Sequence, residues 1–334
     1  MKSVPKISPA LASSVDYGNV VMKPGPFPLK IADEHFCEFN RLLADEIRKL
    51  DFLPDFSRDK NIYVMSDYGG EHNGADFSTY AFLICSAGAK QAIFQREILS
   101  IRRKYGLNEP YKELAYKELR YGPEKRALDE YLNLCNRSIH GVLVTIAVEK
   151  KIPSLFGDDK KDTHRRMVDT LSENGLGTWG GNDAEKLLRV CHPIVMFLSV
   201  LTETGQKLLW MSDEDAINED GNSRSFQNTQ QVFMNALSLY TDNEYKVCGF
   251  AKPFEKDPFT GDLLSLTDFA AGMSQELCQY YLGRDIKVSH EKLKIVRWLC
   301  TASRFLKKVN LIFLKQDSTF SIGNMQLSAK DQSP

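Results

Sequence analysis

The stretch NIYVMSDYGGEHNG (Asn61–Gly74) decides how this chain is read. Ile62 to Met65 form a short apolar run of the kind that favours a strand. An acid, Asp67, follows at once. Gly69-Gly70 and Asn73-Gly74 then supply turn chemistry. A second apolar run, STYAFLICSA (Ser78–Ala87), comes next with Gly88 behind it. The two runs read as a β-hairpin. Asp67 lies two residues beyond Met65, so it points to the same face of the strand. It also reads as an ordinary turn residue ahead of Tyr68-Gly69-Gly70.

Outward from this hairpin the pattern continues. KQAIFQREILSIRRKYG (Lys90–Gly106) is an amphipathic helix with Ile93, Ile98, Ile101 and Tyr105 on one side and Gly106 as its stop. YKELAYKEL (Tyr111–Leu119) reads as a short strand running into a helix. PEKRALDEYLNLCNRS (Pro123–Ser138) is helical, and HGVLVTIAVEKK (His140–Lys151) carries the strongest strand signal. Gly157 to Arg189 is polar and glycine-rich and reads as an insertion or mobile loop carrying some helix. An apolar helix (Cys191–Gly205), a strand ending in acids (Gln206–Ala216), a helix (Ser225–Tyr240) and a strand (Glu244–Phe254) follow. A helix is expected from about Leu266 to Leu282. This order predicts a mixed α/β fold. The expected organisation is an N-terminal arm and helix over 1–58, the helix itself spanning about Ala32 to Leu50. A core over 59–285 follows, with the polar insertion near 157–190. A C-terminal basic helix (Ser289–Lys308) and an extended tail occupy 286–334.

Composition sets outer limits. The chain has 334 residues, 43% of them hydrophobic, which suits a globular protein and not a disordered one. The formal net charge of -1 argues neither for nor against a nucleic-acid partner, since a basic face can sit within a neutral total. No apolar run is long enough to span a bilayer, and the first residues lack the apolar core of a signal peptide. The 7 cysteines are scattered without a CxxC pair, so neither a disulfide framework nor a structural zinc site is expected. A cytoplasmic setting is the expectation.

The acids fall where apolar runs end. IYVMSD ends at Asp67, LLWMSDED reaches Asp213 with Glu214 and Asp215 behind it, and LLSLTD ends at Asp268 near the expected start of a helix. A fourth acid comes from KELAYKEL, as Glu113 or Glu118. A buried ionised carboxylate is costly unless it is paired or binds a metal. Hard cations such as Mg²⁺ take oxygen ligands. Two of them held roughly 3.5–4 Å apart activate a water and steady the leaving oxygen in phosphodiester cleavage. Each acid also has an ordinary reading: Asp268 as a helix N-cap in competition with Thr267, the SDED acids as a solvated strand exit, Glu113 and Glu118 as surface residues. His72, beside Glu71, is a candidate for assisting a water or phosphate.

The ordered set IYVMSDYGG, YAFLICSAG, KELAYKEL, VTIAVEKK, LLWMSDED and LLSLTDFAAG resembles the ribonuclease H-like superfamily. More closely it resembles the mostly microbial domain of unknown function 3800 family. The resemblance covers about Asn61 to Leu282, and LLSLTDFAAG is its most specific piece. It implies a ribonuclease H-like mixed sheet flanked by helices, and a metal-dependent nuclease using Mg²⁺ or Mn²⁺. Asp67, Glu113 or Glu118, Asp213 and Asp268 would be its acids, with Asp67, Asp213 and Asp268 as metal ligands. The family's opening Asp-Glu-Ser is altered here: Met65 and Ser66 stand where its first acids would fall, and Asp67 comes later. The other reading is a catalytically inactive nucleic-acid- or partner-binding module of a microbial defence or mobile-element system. Candidate nucleic-acid contacts are Lys292, Lys294 and Arg297 on the tail helix and Lys160 and Arg165 in the insertion.

Overall fold

The computed structural model describes residues 22–30, 36–108, 111–119, 122–213, 215–219, 224–252, 258–286 and 288–325. The start of the N-terminal arm, the expected helix start at Ala32, Glu214, the end of the strand expected to reach Phe254, and the last tail residues lie outside them.

Alternating side chains build the sheet. β3 (Asn61–Gly69) and β4 (Phe77–Ser86) form the hairpin read from sequence, with Met65 opposite Leu83. β5 (Gly141–Glu149) pairs antiparallel with β4. On the other side of β3, β6 (Lys207–Ser212) runs parallel to it, and β7 (Val247–Ala251) runs parallel to β6. β8 (Leu306–Gln316) runs parallel to β5, and β9 (Thr319–Asn324) turns back along β8. The order across the seven-stranded mixed sheet is β7-β6-β3-β4-β5-β8-β9. A small two-stranded sheet joins β1 (Met22–Pro24) to β2 (Phe52–Pro54).

Helices cover both faces, which is why every residue of β5 is buried. Val64, Phe82 and Val144 point to one face. There they meet α1 (Glu38–Arg48), α5 (Gly181–Leu201) and α6 (Phe226–Tyr240), with α4 (Lys160–Glu173) outside α5. Met65, Leu83 and Leu143, one residue out of step, point to the other. That face carries α2 (Ala89–Tyr105), α3 (Gly122–Ser138), α7 (Pro258–Tyr281) and α8 (His290–Cys300). Among the described residues no helix is long and apolar enough to cross a membrane.

Several elements differ from the sequence reading. The insertion is mostly regular: it holds α4 and the first turns of α5, which begins ten residues before Cys191 and runs through Pro193. Pro193 lacks the N–H that a helix interior normally uses. Burial of Val190, Cys191, Pro193 and Ile194 holds the helix across it. His192 is therefore a mid-helix packing residue; its Nδ1 lies 2.7 Å from the Tyr240 hydroxyl, and burial pushes its pKa down to about 4. KELAYKEL forms a single 3₁₀ turn, Tyr116–Glu118, and no strand. The basic tail helix ends at Cys300, because Ser303 Oγ accepts the N–H groups of Phe305 and Leu306 and redirects the chain into β8. The tail thus supplies two strands of the central sheet and is not an appendage to it.

Candidate active site

Two parallel neighbours bring the first two acids together. Ser66 of β3 sits opposite Ser212 of β6, and the N–H of Asp213 donates to the Ser66 carbonyl at 3.1 Å. Asp67 and Asp213 therefore leave the carboxyl ends of adjacent strands side by side. The residues two before each, Met65 and Met211, are fully buried on the α7 face. Strand alternation directs the Asp67 carboxylate to that face, and the charge of Asp213, the residue after β6, is felt there.

The third acid comes from α7. Asp268 lies ten residues into this helix, so it is not its N-cap. Thr267, its expected competitor for that role, is buried with its hydroxyl donating to the Leu264 carbonyl. The LLSL segment, ahead of the expected helix start, is already part of α7 and is apolar nearly all round. A helix of that kind is buried on most sides, and Leu263, Leu264, Leu266, Phe269 and Met273 all are. The small residues after Asp268 let α7 approach closely. The Ala271 carbonyl accepts Thr79 Oγ1 at 3.0 Å. A Cβ on Gly272 would stand 2.5 Å from the Tyr116 ring, so only glycine lets that ring lie on the helix. Tyr116, docked there, donates its N–H to Asp268 Oδ2 at 2.6 Å.

This docking brings up the Glu113 segment, and a buried ion pair fixes it from behind. Arg102 of α2 makes a bidentate pair with Asp262 of α7, both bonds 2.8 Å, with neither side chain exposed to solvent. The same guanidinium donates to the carbonyls of Leu107 and Lys112, the residue before Glu113. One cation thus ties α2, the 107–112 segment and α7 together.

The carboxylates act on one another. Burial, then Asp268 and Asp213, push the Asp67 carboxyl up to about 8, against the Tyr68 N–H it accepts at 2.7 Å. Asp215 adds to the push. Burial raises Asp268 to about 6; the Tyr116 N–H and Lys117 oppose this, while Glu113 and Asp213 reinforce it. Asp67, Glu113, Asp213 and Asp268 thus share one electrostatic neighbourhood. Both candidates for the fourth acid are exposed, and Glu113 is the one whose charge raises Asp268. Among the described residues no three His, Cys, Asp or Glu side chains form a ready-made metal cage.

The other sequence candidates separate. Lys292 is buried and paired with Glu276, its ammonium 4.8 Å from the Tyr116 ring, so it braces the site from behind and cannot track a backbone. Lys294 pairs with Asp129 at 2.6 Å, and Arg165 with Asp162 at 2.5 Å. Arg297 and Lys160 are exposed. His72 is exposed too, its ring near Gln275. Sequence reasoning missed Arg102, Asp262 and Tyr116. It also missed Lys186 of α5, which pairs with Asp215 at 2.5 Å and with Glu71. Only Gly272, inside the LLSLTDFAAG motif, carried a signal of a close approach. No protein-family model and no curated protein matches this chain.

Proposed function

We propose that the protein is a metal-dependent nuclease that hydrolyses nucleic-acid phosphodiester bonds, with Asp67, Glu113, Asp213 and Asp268 holding Mg²⁺ or Mn²⁺. The observation that carries this reading is the gathering of carboxylates at one end of the sheet, where burial first, and then the charges of Asp268 and Asp213, push the Asp67 carboxyl up to about 8. Three strands in antiparallel succession, with two more running parallel to the first on its other side, agree with the ribonuclease H-like order. The donors suit a hard divalent cation, being carboxylate oxygens throughout. Asp67 and Asp268 each give one oxygen to a backbone N–H, which fixes their orientation. When bound, the metal lowers the pKa of the attacking water and steadies the leaving oxygen. The protein's part is to hold the carboxylates on rigid elements: two strand ends, a buried helix, and the segment anchored by Arg102.

The test compares the parent with Asp268→Asn. Cleavage of single- and double-stranded DNA and RNA is followed with Mg²⁺ or Mn²⁺, alongside melting with and without Mn²⁺. The variant is expected to fold, to lose cleavage, and to lose the rise in melting temperature that Mn²⁺ gives the parent. A variant that cleaves like the parent removes Asp268 from the site. The replacement of the family's opening acids by Met65 and Ser66, both fully buried, favours a second reading, an inactive binding module. A parent that cleaves nothing with either metal selects it.

A further inference from the structure

Across the end of β3 from the carboxylates, on the α5 face, lies a cleft of about 500 Å³ between the sheet and α5. It begins at Tyr68 and Gly69, directly after Asp67, and Lys186 forms part of its wall. Lys186 also holds Asp215, whose charge is felt at Asp67, so cleft and carboxylates adjoin. Four cations line it, and their partners divide them. Arg189 is neutralised by Glu185, and Lys186 by Asp215 and Glu71. Lys150 and Lys160 have no carboxylate within ion-pair distance among the described residues. The Lys150 ammonium donates to the His72 carbonyl at 3.1 Å, and burial lowers its pKa, although Glu71 and Asp76 oppose the shift. Both side chains are exposed, so their ammonium groups can meet an anion entering the cleft, beside the carboxylates of Glu71 and Asp183 in its wall.

We infer that this cleft seats the sugar–phosphate backbone of an unpaired nucleic-acid strand, with Lys150 and Lys160 contacting its phosphates. The inference rests on the nuclease reading for the direction of the strand's path and adds its substrate form. The volume is that of a small-ligand site, within the ~300–1,000 Å³ such sites span. A duplex is a stiff rod with its phosphates outside and cannot bend into such a hollow. A single strand can dip one or two nucleotides into it and carry the next phosphate past the β3 end to the carboxylates.

The test uses the full chain with Lys150→Ala and Lys160→Ala combined. Binding of a fluorescein-labelled oligothymidylate, and of a duplex of equal length, is followed by anisotropy in chelator across a salt series. The double variant should melt like the parent and bind the single strand more weakly. Its slope of log affinity against log salt should be shallower by about 1.4, at ~0.7 for each phosphate that a lysine no longer neutralises. An unchanged slope and affinity overturns the inference, as does a parent that binds no single strand, or one whose lysine-dependent binding is tighter for the duplex. The two readings fail separately. A parent that cleaves, with a double variant that binds and cleaves equally well, ends this inference and leaves the nuclease. A parent that cleaves nothing, yet binds the strand through these lysines, ends the nuclease and leaves the cleft.

Discussion

Replacing Asp67 by Asn isolates the charge of the carboxylate at the end of β3. The side chain keeps its size and an oxygen for the Tyr68 N–H. Burial and the neighbouring acids raise this carboxyl from 3.8 to about 8. At about 1.4 kcal/mol per unit the whole shift corresponds to roughly 6 kcal/mol. Asp67 is half-buried and exchanges its proton within a cluster, so the measurable part is on the order of 2–3 kcal/mol. The sign follows from linkage. Because the folded pKa lies above the unfolded one, the stability given by the bound proton is fully present below pH 3.8 and is lost as pH rises through about 8. Without metal the parent should therefore lose stability relative to Asp67→Asn across that window. Above it the variant should melt higher by about 4–6 °C, at roughly 2 °C per kcal/mol for a chain of this size. The assay is thermal melting in chelator over a series of pH values. Identical pH profiles, or a variant that melts lower than the parent above pH 8, would refute the reasoning. Added Mn²⁺ should raise the parent alone.

Glu113→Gln should move the Asp268 titration down from about 6, since Glu113 holds it up, whereas Glu118→Gln should leave it in place; carboxyl-carbon NMR reads both. Gly272→Ala puts a methyl 2.5 Å from the Tyr116 ring. It should cost about 1–3 kcal/mol in urea unfolding, and no loss would mean that the ring does not rest there. Arg102→Met removes the cation that faces the buried Asp262 carboxylate and should cost about 3–5 kcal/mol. Adding Asp262→Leu should recover most of that, and a double variant as unstable as the single would show that the pair is not the reason.

The sheet's centre was legible because β3, β4 and β5 are apolar runs punctuated by glycine and polar turns. The acids at the ends of β3 and β6 were legible for the same reason. Their adjacency was not, because it depends on a parallel register between strands far apart in the chain. Asp268 was singled out for its apolar surroundings and placed near a helix start, whereas it lies ten residues into α7. Thr267-Asp268 has the chemistry of a helix start, and only the packing of Leu263 and Leu264 below α2 and α3 shows the helix already under way. Arg102 looked like one more cation in IRRKY, where basic residues usually mark a solvated helix end. Its partner, Asp262, lies on another helix. Lys292 and Lys294 misled in the same manner: a run of cations reads as a free basic face until Glu276 and Asp129 arrive from other helices.

The pairing of β8 with β5 has a consequence for how the molecule comes into being. Gly141 meets Leu306 at one end of this ladder and Val148 meets Phe313 at the other. β5 is made long before its outer neighbour, and loop closure over such a separation is slow. On the ribosome, β5, all of whose residues are buried in the finished fold, must wait with one row of N–H and C=O groups unmatched, a template for joining another chain. A chain cut after α7 would keep every acid of the site and still expose that edge permanently. Such a truncation is expected to aggregate during synthesis, which makes the last two strands a requirement for folding even though they carry none of the proposed chemistry.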